Sequence, residues 1–211
     1  MKHVTLPGGE VVPSMGQGTW KMGERAERRS DEIAALRAGV ELGMTLVDTA
    51  EMYGDGAAEA LICEALGDRR DQLFLVSKAY PQNASRSRLA GACEASLKRL
   101  GTDVIDIYYL HKEDHTTPLS ETIGAIALLV RQGKIRYFGV SNYRAWRVAE
   151  ICRLCDDLGI DRPVVSQPYY NALNRMPETE HLPACAHFGL GVVPYSPLAR
   201  GVLTGKYDPD S

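Results

Sequence analysis

Apolar runs that stop on a polar residue recur along the chain at a nearly constant interval. Thr45 to Val47 stops at Asp48, LFLVSK at Lys78, VIDIYYLH at His111, GVSN at Asn142, VVSQ at Gln167, and VVPYS at Tyr195 and Ser196. The gaps between Asp48, Lys78, His111, Asn142, Gln167 and Tyr195 are 30, 33, 31, 25 and 28 residues, the length of one strand-plus-helix unit. Each run is short and nearly continuous, as expected of a strand covered on both faces of a parallel sheet. The pattern predicts seven strands, near residues 15–19, 45–48, 73–78, 104–111, 135–141, 164–167 and 191–195. Between them it turns helical. A first helix is expected from Ser30, as N-cap, to Leu42, with apolar residues at 33, 36, 40 and 42 and a stop at Gly43. Later helices, near 57–66, 87–100, 119–132, 144–158 and 178–188, run into Gly67, Gly101, Gly133, Gly159 and Gly189, each placed to take the left-handed conformation that closes a helix. Ahead of all this, His3 to Leu6 and Val11–Val12 flank Pro7-Gly8-Gly9-Glu10 and predict a hairpin over about residues 3–12.

Unbroken β–α alternation leaves two architectures, an open doubly wound sheet and a closed (β/α)8 TIM barrel. The barrel is favoured. No Gly-x-Gly-x-x-Gly turn opens a first unit, and the polar residues gather at the C-terminal ends of nearly all strands instead of at one switch point. The class is therefore α/β, a single barrel domain over residues 1–211, with seven strands where closure needs eight and the eighth βα unit missing.

Composition removes several classes of function. With 45% hydrophobic and 24% charged residues the chain can bury a core, and a net charge of −3 gives no reason to expect nucleic acid as partner. The longest apolar stretch, Ala125 to Val130, is too short for a bilayer, and MKHVTLPGGE has no signal-peptide core, so no membrane partner and a cytoplasmic location are expected. Five cysteines, at 63, 93, 152, 155 and 185, read as reduced packing residues. Cys152-Arg-Leu-Cys155 falls inside a helix, with no second pair or His cluster nearby, and no metal site is expected.

Singly, each strand-end residue has an ordinary structural explanation: a cap for Asp48, a snorkelling Lys78, a satisfied buried His111, loop packing for Tyr53. Successive barrel strands, however, bring their C-terminal ends to one mouth, which would gather Asp48, Lys78 and His111 around Tyr53. A phenol ionises near pH 10, so as a proton donor at neutral pH it benefits from a cation that stabilises the phenolate left behind. Lys78 would supply it, Asp48 would fix Lys78, and His111 would orient a substrate oxygen. This suits protonation of a carbonyl oxygen. No side chain donates a hydride, so a cofactor is implied. Ser141, Asn142 and Gln167 offer hydrogen bonds for a carboxamide, Tyr195 a flat face for stacking, and the loop Ser196 to Tyr207 backbone donors, two glycines and two cations for a pyrophosphate.

DTAEMYG, the LFLVSK and DIYYLH strand ends, GKIRYFGVSN and YSPLARGVLTGKY, in this order, resemble the aldo-keto reductase family over essentially the whole chain. The resemblance implies an NADPH-dependent reductase of aldehydes or ketones on a (β/α)8 barrel, with a small-molecule carbonyl substrate and a tetrad at Asp48, Tyr53, Lys78 and His111. Tyr53 would be the acid while NADPH passes hydride to the carbonyl carbon. It also implies Ser141, Asn142 and Gln167 at the nicotinamide amide, Tyr195 stacked on the ring, and Ser196, Leu198 and Gly201 along the pyrophosphate. Family members continue through a further helix, an eighth strand and a basic segment for the adenosine 2′-phosphate, so a truncated chain, or a fragment completed by self-association through the open barrel edge, is expected. The family also contains channel-associated subunits, so a cofactor-binding regulatory subunit with little or no turnover is the rival reading. A lyase forming a Schiff base on Lys78 ranks below both, because an ion-paired lysine is a poor nucleophile.

Overall fold

The computed structural model describes residues 1–207; residues 208–211, the end of the domain expected over residues 1–211, lie outside the described residues. The chain divides into two compact units, Met1–Phe138 and the residues from Gly139 on.

The first unit opens with the expected hairpin. Strands β1 (His3–Thr5) and β2 (Val11–Pro13) pair antiparallel around a turn closed by the Gly9 amide donating to the Leu6 carbonyl. Then come β3 (Gln17–Gly18), α1 (Arg29–Glu41), β4 (Leu46–Asp48), α2 (Ala57–Leu66), β5 (Phe74–Ala79), α3 (Arg86–Leu100), β6 (Ile105–Leu110) and α4 (Leu119–Arg131). Strands β3 to β6 lie in chain order and parallel, with Val47 opposite Leu75, Asp48 opposite Val76 and Lys78 opposite Tyr109. Alternation along the strands sends Asp48, Lys78 and Tyr109 to one face and Ser77 and Tyr108 to the other, towards the helices. Every residue of β5 and β6 is buried, which is why these runs read as continuous in the sequence. Helix α2 packs through Ala58, Leu61, Ile62, Ala65 and Leu66, all with essentially no exposed surface.

The second unit holds the end of β7 (Ile135–Ser141), then α5 (Ala145–Leu158), β8 (Val165–Gln167), α6 (His181–Phe188) and β9 (Gly191–Val192). Its pairing is parallel, Ser141 opposite Gln167 and Val165 opposite Gly191. No helix among the described residues is long and apolar enough to cross a membrane.

Four local expectations differ. Ser30 is not an N-cap: α1 begins a residue earlier, continuing from a 3-10 turn, and its first turn carries Asp31 and Glu32 against the helix dipole. Gly43, Gly101, Gly133, Gly159 and Gly189 all take positive φ, but Gly67 has φ −58° and passes α2 into a 3-10 turn, Gly67–Gln72. That turn is held by Arg70, which donates to Thr102 Oγ1, the Leu73 and Val104 carbonyls and the Asp106 carboxylate, so no glycine stop is needed there. The last strand covers two residues instead of five, interrupted by Pro194. The last helix begins at His181, after a 3-10 turn at Met176–Glu178 led by Pro177.

Candidate active site

The segment after β4 is held rigidly. The Thr49 amide donates to the Val76 carbonyl at 2.9 Å and the Glu51 amide to the Lys78 carbonyl at 3.3 Å, extending the ladder with β5 past the end of the strand. The Tyr53 amide donates to the Ala50 carbonyl, closing the turn that carries the phenol. Beyond it Gly54, Asp55 and Gly56 all have positive φ, a reversal that points Tyr53 back over β5 before α2 starts.

Lys78 is fully buried and its ammonium meets three acceptors: Asp48 Oδ1 at 2.5 Å, the Thr49 carbonyl at 2.8 Å and the Tyr53 hydroxyl at 3.4 Å. A buried ammonium is tolerable only when its protons are matched in this way. The Tyr53 and Tyr109 rings complete its surroundings, their centroids 5.1 and 5.8 Å from Nζ. His111 follows β6 directly, and its imidazole meets the Tyr53 ring edge-on at 6.1 Å. The four residues expected to converge therefore do so within the first unit.

Their electrostatics only partly match expectation. Burial raises the Tyr53 phenol above its usual value; Lys78 pulls it down, through charge and hydrogen bond, but does not overcome burial, and Asp48 adds to the rise. Tyr53 is thus a firmly protonated donor. His111 is driven down to about 3, by burial first and then by Lys78 and Lys112, so its ring is neutral across the physiological range.

In the second unit the expected cofactor residues form a chain. Ser141 Oγ donates to the Gln167 carbonyl at 2.9 Å, Asn142 Nδ2 donates to Ser141 Oγ at 3.0 Å, and the Tyr195 hydroxyl donates to Asn142 Oδ1 at 2.8 Å. Asn142 sits at φ 59°, a conformation asparagine tolerates better than most residues. Tyr195 is 37% exposed, its ring 5.4 Å from that of Tyr169 and tilted by 33°. The loop beyond has positive φ at Ser196, Ala199, Arg200 and Gly201, and Leu198 is exposed. Two of its expected backbone donors turn inward: the Ala199 amide donates to the Ser196 carbonyl and the Gly201 amide to the Leu198 carbonyl, both at 2.9 Å. Asn171 Nδ2 braces the loop through the Ser196 carbonyl at 3.1 Å. The donor set still suits a nicotinamide cofactor: buried Ser141 and Gln167 offer amide partners, and the half-exposed Tyr195 offers a ring face.

Four acids that the strand-end reading passed over are buried in the first unit: Glu32, which accepts from the Gly23 amide, and Glu51, Asp106 and Glu59. Glu51 accepts from the Tyr80 amide and from Asn83 Nδ2; Asp106 accepts from the Leu75 amide and Arg70 and is ion-paired with Arg136; Glu59 accepts from Ser77 and Arg99. Glu59 left a trace in the sequence, since it shares the apolar stripe of α2 with Ile62 and Leu66. Cys152 and Cys155 are buried in α5, their thiols pushed up to about 11 and about 12 by burial, so both are inert packing groups.

Residues 14–211 match the model of the family described as Aldo/keto reductase family. The chain is 46% identical over 199 residues to methylglyoxal reductase YeaE of Escherichia coli, covering 94% of this chain and 69% of that protein. It is 42% identical over 196 residues to human aflatoxin B1 aldehyde reductase member 2, covering 90% of this chain but 54% of that protein, so it spans only about half of that relative. A crystal structure of an aldo/keto reductase from Klebsiella pneumoniae in complex with NADP and acetate superposes with a TM-score of 0.88 at 43% identity, over 96% of this chain and 70% of the other. Likeness at this level shows a shared fold, an α/β barrel of parallel strands and helices.

Proposed function

Because the chain belongs to the aldo/keto reductase family, we propose that it reduces an aldehyde or ketone to an alcohol with NADPH, Tyr53 acting as general acid. The observation that carries this reading is the fully buried Lys78 ammonium, 2.5 Å from Asp48 and 3.4 Å from the Tyr53 hydroxyl. With a Lys78 N–H directed at the phenol oxygen, the phenol's own proton is available to a substrate carbonyl. As that proton leaves, negative charge grows on an oxygen already facing a cation, where a preorganised charge is most effective. Asp48 holds the ammonium in place. Neutral His111 can donate a ring N–H to the carbonyl oxygen and orient it without competing as an acid. Bound NADPH would supply the hydride that the carbonyl carbon takes up.

Ser141, Asn142 and Gln167 would hold the nicotinamide carboxamide, Tyr195 would stack on the ring, and Ser196, Leu198 and Gly201 would line the pyrophosphate. At Gly201 the contribution is space, because its amide is already bonded and a side chain there would meet Lys206. The substrate class is supported by the relatives, described as reductases of methylglyoxal and of an aflatoxin-derived aldehyde. Steady-state NADPH oxidation with methylglyoxal and with an aromatic aldehyde tests the proposal, alongside quenching of Trp20 and Trp146 fluorescence by NADPH. Turnover that disappears in Tyr53→Phe, with cofactor binding intact, is the expected result. Cofactor binding without turnover would instead identify a regulatory, non-catalytic member, and turnover reduced only a few-fold in Tyr53→Phe would remove Tyr53 as the acid.

A further inference from the structure

Glu59 is a carboxylate with no exposed surface on a helix that otherwise buries only apolar residues. Both its oxygens are engaged: Oε1 accepts from Ser77 Oγ at 2.6 Å and Oε2 from Arg99 Nε at 2.6 Å. Ser77 precedes Lys78 on β5 and faces the helices while Lys78 faces the opposite way, so Glu59 grips the strand from behind the ammonium. Arg99 reaches in from α3, is steadied by Ser96 Oγ at 3.3 Å, and lies against Gly56, where a Cβ would come within 2.5 Å of its Nε. Gly56 ends the turn that begins with Tyr53 and has φ 89°, so this close approach and this conformation both require glycine. One carboxylate thus touches the strand that carries the Lys78 ammonium and, through one guanidinium, the turn that carries Tyr53.

Stability does not explain the arrangement, since a buried carboxylate–guanidinium pair roughly breaks even with well-packed apolar side chains. What such a pair adds is direction, because hydrogen bonds at both oxygens fix position more tightly than a Leu would. We propose that Glu59, acting through Ser77 and Arg99, is a positioning residue that sets the Tyr53 hydroxyl against the Lys78 ammonium. The kinetic part of this inference rests on Tyr53 being the acid; the geometric part does not.

Three proteins decide it: Glu59→Gln, Ser77→Ala and the parent, each paired with its Tyr53→Phe counterpart. The difference in tyrosinate absorbance within a pair isolates the titration of Tyr53. Expected are a kcat for reduction of methylglyoxal lower by about tenfold with KM within about twofold, as for a small displacement of reacting groups. The Tyr53 titration should also move to higher pH, because a displaced Lys78 stabilises the phenolate less. A purely structural Glu59 would lower the urea midpoint yet leave the titration and kcat of the folded variants unchanged, which overturns the proposal. If Glu59→Gln does not fold, Ser77→Ala, which removes one hydrogen bond, decides alone. If the parent shows no turnover, the reductase reading fails while the titration shift still supports or rejects the positioning role.

Discussion

The two sets of residues proposed for catalysis and for cofactor binding are built by different means. In the first unit Lys78 and His111 stand at the ends of six-residue, fully buried strands, while Asp48 closes the three-residue β4 and Tyr53 lies in the turn beyond it; the backbone ladder continues past β4 and the ammonium is saturated by acceptors. In the second unit Ser141 ends the seven-residue β7, but β8 and β9 are only three and two residues long, Tyr195 is exposed, and the loop from Ser196 to Gly201 runs through four positive-φ residues over little packed surface. Geometry that must be accurate when a proton moves is set before any ligand arrives. A loop that closes on a long dinucleotide can instead gain its order from the ligand, at some loss of affinity. On the proposed reading, chemistry depends on packing in one region, and binding depends on loop conformation in the other.

The largest effect that would sharpen this contrast is on catalysis. Tyr53→Phe should lower kcat by about 10²–10⁴-fold and leave NADPH affinity unchanged by fluorescence titration; an equal fall in affinity would merge the two roles. Asp48→Asn should come next. It leaves the fully buried ammonium without its counter-charge and should cost about 3 kcal/mol in a urea melt, besides lowering kcat. The third effect is one of pH. His111 is held down to about 3 in the fold and returns to about 6.5 when unfolded, so the unfolded chain binds the extra proton. Its contribution is fully present above about pH 6.5 and is lost as pH falls towards 3, by up to roughly 5 kcal/mol. Urea midpoints across this range should show a shallower acid decline in His111→Asn than in the parent. For the loop, Gly201→Ala at φ 99° costs roughly 1 kcal/mol of backbone strain; a loop that relaxes to relieve it when free, and must regain this conformation to bind, should bind NADPH about fivefold more weakly with the melt little changed. The smallest effect is a control. Arg153 and Asp157 stand 2.5 Å apart, the same separation as Lys78 and Asp48, but are 63% and 57% exposed. Asp157→Asn should shift the melt by at most about 0.5 kcal/mol; a loss as large as that from Asp48→Asn would mean that distance, not burial, sets the energy.

What could be read from the chain beforehand follows the same division. Asp48, Lys78 and His111 were legible because a buried parallel strand writes itself as a nearly continuous apolar run, broken only by Ser77 and Asp106 in these strands, that stops on a polar residue. The helix stops were legible at Gly101, Gly133, Gly159 and Gly189 because a left-handed terminus selects glycine locally. Gly67 was misread because its turn is held by Arg70 through acceptors as far along the chain as Asp106, and no local rule sees that far. Glu59 was missed for a related reason: whether an acid on an apolar stripe is an exception or a partner depends on Ser77 and Arg99, which lie on two other elements. The net rise at Tyr53 also escaped, since the sequence names the nearby cation but not the depth of burial that outweighs it.

The Tyr137 hydroxyl, which accepts from the Gly8 amide and donates to Glu10, ties the first turn of the chain to a residue 129 positions later. During synthesis at about 5–20 residues per second, the amino-terminal hairpin waits roughly ten seconds for its anchor to be made. Over that interval Val12, which the fold buries, is open to chaperones, so the hairpin is secured long after it is made.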